Sequence, residues 1–205
     1  MRKSLTTIIL AILVWTSCTT NSQQKPTKFS NPQTSAASKS ESLPEDQKAQ
    51  IDSLLSQNKG TLTVLVKLPG NQQLVEVKGE QWPDEVEITY NILKDSSGQV
   101  LMFAESPFSE SGDWNISLIH YFDEAGKTFA FSKRTNFFNS GCTEGVAYET
   151  ITEYFDQDFR KVGEQYSLLD GENNKLDKGK CEFPYEAAYK VLPNLDACMQ
   201  TINGR

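Results

Sequence analysis

The sequence predicts an α+β fold that is mostly antiparallel β: a meander sheet, curled or sandwich-like, with short N- and C-terminal helices. Apolar residues recur at every second position from about residue 62 onward, a period typical of strands with one buried face. Short turns rich in Asp and Gly separate these segments, and no crossover helix of the kind that parallel strands need lies between them. The aromatic content of 11 Phe, 7 Tyr and 3 Trp also favours strands.

Helical spacing is confined to the two ends of this region. Ser42-Leu43-Pro44-Glu45 resembles a capping box with proline in the first turn, and it predicts a helix over about residues 45–57. The apolar residues of this helix would be Ile51, Leu54 and Leu55. A second short helix is predicted after Pro193, near the C-terminus.

Nine strands are predicted between the helices. They cover residues 62–68, 74–78, 86–92, 100–104, 114–122, 127–135, 146–155, 159–169 and 176–183. Tyr121-Phe122-Asp123 and Tyr154-Phe155-Asp156 each precede a turn, 33 positions apart. They could mark a repeat array, but we favour the simpler interpretation that hairpins reuse the same ending.

The N-terminus has the organisation of an export signal. Arg2 and Lys3 supply positive charge, and an apolar and hydroxyl run follows from Leu5 to Trp15. That run is too short to cross a bilayer as a helix but has the length of a signal-peptide core. Small residues then lead to Cys18.

Thr16-Ser17-Cys18 resembles the lipobox of bacterial lipoproteins, although Trp15 stands where that motif usually has Leu. The resemblance is to small lipoproteins like those of Bacteroidota, and it implies that Cys18 carries palmitate-type acyl chains at the mature N-terminus. Neither Asp nor an acidic run follows Cys18, which by the same resemblance implies an outer-membrane lipoprotein facing the periplasm. The alternative is an ordinary secretory signal with Cys18 near the cut.

Three segments are therefore predicted. Residues 1–17 would be the signal peptide, 18–44 the lipidated cysteine and a disordered tether, and 45–205 a single β-rich globular domain. The tether is too polar to offset its ordering entropy by burial. A flexible coil of about 25 residues spans roughly 25–30 Å.

The charge balance limits the partners. The chain has a formal net charge of −7 and a pI near 4.9, whereas nucleic-acid binding needs clustered Lys and Arg. Attachment to the membrane would therefore run through Cys18 rather than through charge. A protein partner is compatible with this composition.

Three further cysteines remain, and an oxidising periplasm would pair two of them. In an up-and-down sheet the 138–145 loop and the 170–177 turn lie at the same end. We therefore prefer Cys142–Cys181 and expect Cys198 to be a small buried residue, with the other pairings as alternatives.

Candidates for catalysis are few. His120 is the only histidine, so zinc or iron sites built on two or three imidazoles are excluded within one chain. It shares a strand face with apolar residues and is predicted to lie on the core side. Cys142 could be a thiol nucleophile activated by His120, or half of the disulfide. We predict no catalytic residues, no metal and no cofactor.

Acidic residues offer two weaker possibilities. A calcium site could be imagined from Asp156, Asp158, Asp170, Glu172 and Asp177, but their spacing is not that of an EF-hand, and solvated turns are the favoured interpretation. Glu149 and Glu153 could mimic a glycosidase pair, although charges alternating along a strand usually mark its wet face.

An aromatic surplus could line a ligand groove or fill the core of a curled sheet, and the sequence leaves both open. Its members are Phe137, Phe138, Tyr148, Tyr154, Tyr166, Phe183 and Tyr185. The expected function is a non-enzymatic, lipid-anchored envelope protein that acts as a binding or accessory module. Alternatives are an inhibitor of a basic hydrolase such as lysozyme, and a hydrolase using His120 with Cys142 or a serine.

Overall fold

Over the residues that the structure describes, the chain forms one eight-stranded antiparallel sheet with a helix on each face. The computed structural model describes residues 43–71, 73–183 and 188–203, and all of these belong to one unit of the chain. The helices are α1 (Pro44–Ser56) and α2 (Leu195–Asn203). The strands are β1 (Thr61–Lys67), β2 (Leu74–Glu76), β3 (Ile88–Lys94), β4 (Val100–Pro107), β5 (Trp114–Phe122), β6 (Thr128–Phe137), β7 (Ala147–Phe155) and β8 (Lys161–Leu169).

The strand order is β2-β1-β3-β4-β5-β6-β7-β8, with antiparallel pairing throughout. The predicted meander is thus confirmed from β3 to β8. It is broken once, because β1 lies between β2 and β3. Eight of the nine predicted strands are present, and the mostly antiparallel fold with two helices is confirmed.

The ninth predicted strand, 176–183, is wrong. Only an isolated bridge between Leu169 and Lys175 extends the sheet there, and a 3₁₀ turn follows over Lys178–Lys180. The Asp177 side chain accepts a hydrogen bond from the Gly179 amide and caps that turn. A local side-chain cap thus competes successfully with the ladder.

Three hairpins share one geometry at the same end of the sheet, which we call the hairpin end. The turns begin at Asp95, Asp123 and Asp156, and each Asp carboxylate accepts two backbone amides of its own turn. The residue three positions later has positive φ in every case: Gly98, Gly126 and Phe159. In each hairpin the residue six positions after the Asp has no partner on the opposite strand and forms a β-bulge. The echo of Tyr-Phe-Asp therefore reflects a reused hairpin.

Helix α1 covers part of one face of the sheet, the α1 face. Ile51 and Leu55 pack on a cluster that includes Ile119 and Tyr121. The Asp52 carboxylate accepts hydrogen bonds from the Tyr121 hydroxyl at 2.8 Å and the Arg134 guanidinium at 3.2 Å. Leu43 occupies the N-cap and makes no side-chain cap. The predicted cap, Ser42, lies outside the described residues.

Helix α2 packs on the opposite face, the α2 face. Cys198 and Ile202 join Tyr90, Phe103 and Phe122 in a buried cluster. The chain entering α2 is bonded to the β5–β6 hairpin, since the Thr128 amide donates to Pro193 O at 2.9 Å and the Leu195 amide donates to Gly126 O at 2.9 Å. Both faces of the sheet therefore contribute to the core.

Candidate binding surface

His120 lies on the α2 face with only 4% of its surface exposed. Its Nε2 accepts the Leu192 amide at 3.0 Å, and its ring contacts Phe122 and Phe131. Burial lowers the pKa of His120 to about 4. The expected core position is correct, and the imidazole holds the C-terminal segment onto the sheet.

Cys142 and Cys181 form a disulfide with a Cα–Cα distance of 4.8 Å, as predicted. Cys142 is therefore not a free nucleophile in this state. The bond ties the β6–β7 loop to the segment after the 3₁₀ turn, and the Glu182 amide donates to Ser140 O at 2.7 Å beside it. Cys198 is a free, fully buried thiol, and burial raises its pKa to about 12.

The acidic residues considered for a calcium site lie in different parts of the structure. Asp156 and Asp158 lie in the β7–β8 turn, where both pair with Arg160. Asp170 lies at the opposite end of the sheet and accepts amides of its own turn. Within the described residues no group of three or more His, Cys, Asp or Glu side chains is arranged to hold a metal ion.

Glu149 and Glu153 share the α2 face of β7 but serve different contacts. Glu149 is buried and accepts a hydrogen bond from the Tyr166 hydroxyl at 3.1 Å and pairs with Lys178 at 3.3 Å. Glu153 pairs with Lys161 at 2.7 Å. Four residues of strand separate the two Cα atoms by about 13 Å, and each carboxylate is held by its own partners, so the structure does not bring them together as a glycosidase pair.

The aromatic surplus divides between core and surface. Phe137 and Tyr154 are buried, and Phe183 packs against Phe137 with ring centroids 4.9 Å apart. Phe138, Tyr148 and Tyr166 are exposed. The core interpretation is therefore correct for Phe137 and Tyr154, and the ligand groove stays a prediction. Tyr185 lies outside the described residues, as do Cys18, the predicted signal peptide and the predicted tether up to residue 42. Pro44, which was predicted to end the tether, is instead the first residue of α1.

Three exposed aromatic residues form a row across the α1 face, at the end opposite the hairpins. We call Phe108, Phe138 and Tyr148 the aromatic row; their exposed fractions are 58%, 48% and 39%. Strand alternation places them on the face of Ala104, Arg134 and Tyr154, respectively. Tyr148 pairs with Asn136, so its ring is a diagonal neighbour of Phe138, about 7–8 Å away. Phe108 lies two strands from Phe138 and, by register, level with Asn136, so the two backbone positions are about 12 Å apart.

The backbone of the row is held by hydrogen bonds that continue the sheet. The Phe108 amide donates to Glu87 O at 3.0 Å, and the Phe138 amide donates to Asp113 O at 2.9 Å. The disulfide adds a covalent restraint to the loop that begins at Phe138. The rings are therefore exposed on a fixed backbone rather than on loose loops.

The loops around the row are acidic. Residues 108–113 and 138–146 contain Glu110, Asp113 and Glu144 and no Lys or Arg. Among the ion pairs of the described residues, none involves these three carboxylates. Below the row the α1 face carries small polar side chains, including Ser106 and Ser117, whose hydroxyls are 2.9 Å apart.

Sequence reasoning missed Phe108 and the row as a unit. Strand parity could have placed Phe138 and Tyr148 on one face, but Phe108 follows Pro107 in what reads as a loop. Its place in the row depends on the hydrogen bond to the β3 side of the sheet, which no local pattern predicts.

A comparison with known protein families, curated proteins and solved structures finds no match for this chain. Over the described ranges, no helix has both the length and the apolar character needed to span a membrane.

Proposed function

We propose that this chain is a non-enzymatic, lipid-anchored binding or accessory module of the bacterial cell envelope. The observation that carries the proposal is the exposed aromatic row on a fixed backbone, because exposed aromatic side chains grouped on one face of a sheet are typical of interaction sites. The position of His120 supports the non-enzymatic part. Its Nε2 is occupied by a backbone amide inside the protein, and it is the chain's only histidine.

The envelope location rests on the N-terminal residues and on the disulfide. Arg2, Lys3 and the run from Leu5 to Trp15 have the pattern of an export signal, and Cys18 follows at a lipobox-like site. Disulfides persist in oxidising compartments such as the periplasm. We place the protein at the outer membrane, facing the periplasm, with Cys18 as its membrane attachment.

Fractionation of cells expressing the full chain tests the anchor. The Cys18→Ser variant should move from the membrane fraction to the soluble periplasmic fraction while keeping its disulfide. Cys198→Ser is the matched control, because it removes another thiol and should leave the protein in the membrane fraction. A Cys18→Ser protein that remains membrane-bound would contradict the anchor.

A second candidate is an inhibitor of a basic hydrolase such as lysozyme. The carboxylates beside the aromatic row favour it, since complementary charge steers association with a basic partner. Tight, salt-sensitive binding to lysozyme, with loss of its activity, would support this candidate. A hydrolase using His120 would instead lose its phenotype in a folded His120→Gln variant.

We also infer that the sheet is curled rather than flat. Antiparallel sheets twist, and bulges bend the strands that contain them. Here three bulges lie at equivalent places of three hairpins. A solution scattering profile of the mature chain would contradict the curl if it required a flat, extended sheet.

A further inference from the structure

We propose that the aromatic row and its three carboxylates form a docking surface for the basic surface of another protein. The inference rests on the proposed binding function and names the place and the partner class. The row supplies rings for the centre of an interface, and Glu110, Asp113 and Glu144 supply charge at its margin. Interfaces have this arrangement of aromatic anchors within a polar rim.

The charge of the surface selects among occupants. The two loops carry three carboxylates and no Lys or Arg. The segment that the disulfide ties to the 138–146 loop adds Lys180 and Glu182 beside it, whose charges offset each other. The net local charge is therefore negative, which disfavours anionic lipids and anionic glycans. A second copy of this chain brings the same carboxylates and a net charge of −7, so self-association through this surface sets like charges against one another. A basic protein surface is the occupant whose charge is complementary.

The fixed backbone favours a preformed surface. Phe108 and Phe138 each donate a backbone hydrogen bond to the neighbouring segment, and the Cys142–Cys181 disulfide holds the loop after Phe138. Little backbone ordering remains to oppose association, which is the benefit of preorganisation. Only side-chain rotamers of the exposed rings need to be fixed.

Site-specific photo-crosslinking of the full, lipidated chain in its own cell envelope tests the proposal. p-Benzoylphenylalanine replaces Phe138 in one variant and Tyr148 in another. Val162 and Leu62 are the matched controls, because they are apolar and 61% and 46% exposed, yet lie outside the row. Adducts are identified by mass spectrometry, and the envelope preparation is irradiated at low and high salt.

The expected result is a protein adduct with a basic surface, formed from the row positions and not from the controls. Its yield should fall at high salt, because salt screens exposed charges. In a chain with the crosslinker at Tyr148, Phe108→Ala with Phe138→Ala should lower the yield about tenfold or more. Glu110→Gln with Glu144→Gln should lower it severalfold and flatten the salt dependence. Unchanged thermal unfolding would show that these exposed substitutions leave the fold intact.

The remaining outcomes overturn the inference. An acidic partner, a glycan adduct, a self-adduct or a salt-insensitive yield would each contradict a basic-protein docking surface. Protein adducts at Val162 or Leu62 but not at the row would leave the binding function standing and move its site. No adduct from any of the four positions would contradict both the docking surface and the binding function.

Discussion

Protonation of His120 should destabilise the fold as the pH falls from about 6.5 toward about 4. The folded pKa is about 4 and the ordinary value is 6.5, so the unfolded chain takes up a proton as pH falls below 6.5 while the folded chain does not. Stability from the neutral imidazole is therefore fully present above pH 6.5 and is lost as pH falls toward 4. At one pKa unit per 1.36 kcal/mol, the full effect is about 3 kcal/mol in the free energy of unfolding.

Protonation of His120 destabilises the folded state in two ways. Protonated Nε2 cannot accept the Leu192 amide, which now donates to it at 3.0 Å. The new charge would also lie beside the rings of Phe122 and Phe131, where burial penalises it. Since this hydrogen bond fixes the segment that leads into α2, local release of the C-terminal region is the expected route.

Denaturant unfolding at pH 7 and pH 5 measures the effect. Between these values the His120 contribution should fall by about 2 kcal/mol, and Asp and Glu side chains, whose ordinary pKa values lie near 4, titrate mostly below this range. The buried Cys198 thiol is a built-in reporter of α2, and its labelling by a disulfide reagent active at acidic pH should accelerate at pH 5.

His120→Gln is the informative variant, because its amide oxygen can still accept a hydrogen bond and does not titrate. Its stability should change little between pH 7 and pH 5, and the acceleration of Cys198 labelling should disappear. If the variant kept the full pH dependence, the assignment of the acid sensitivity to His120 would be wrong.

Three other predictions concern stability. The Cys142→Ser, Cys181→Ser double variant should lose about 4 kcal/mol in denaturant unfolding, because the bond closes a separation of 39 residues; an unchanged midpoint would contradict this. Asp52→Ala should lower the free energy of unfolding by about 1–3 kcal/mol, because the carboxylate accepts hydrogen bonds from the sheet as well as from α1. Unchanged hydrogen-exchange protection of the α1 amides would contradict this prediction. Gly98→Ala should cost about 1–2 kcal/mol, since φ is 89° and nothing crowds the position. Gly171→Ala is the control, because this glycine is also uncrowded but does not have a positive φ. It should leave the free energy of unfolding unchanged. Equal losses of stability in the two variants would show that the positive φ of Gly98 is not the cause.

The sequence predicted those features that depend on short-range patterns. Alternation placed the strands, and the Asp of each turn marked the hairpins, because its carboxylate caps its own backbone amides. The disulfide was predictable because strand parity fixes which loops share an end. The position of β1 between β2 and β3 was not predictable, because either edge of a hairpin can accept the next strand.

The candidate surface was only half visible in the sequence. The exposure of Phe138 and Tyr148 depends on which part of the α1 face helix α1 leaves open, and that follows from tertiary packing. The prediction of a strand over residues 176–183 was also wrong because of interactions that a local pattern does not show. Only Cys181 and Phe183 follow a two-residue period there, while Asp177 caps a 3₁₀ turn and Cys181 is held by the disulfide, so local and covalent restraints prevented a ninth strand.

The placement of α1 bears on how an anchored module would use the row. Ile51 packs with Tyr121, Phe129 and Tyr154, all close to the hairpin end of the sheet, whereas the row lies at the other end of the same face. Strands of 9 or 10 residues separate the two ends by about 30 Å. Helix α1 therefore leaves the part of the face that carries the row uncovered. A partner could then occupy the row without displacing α1.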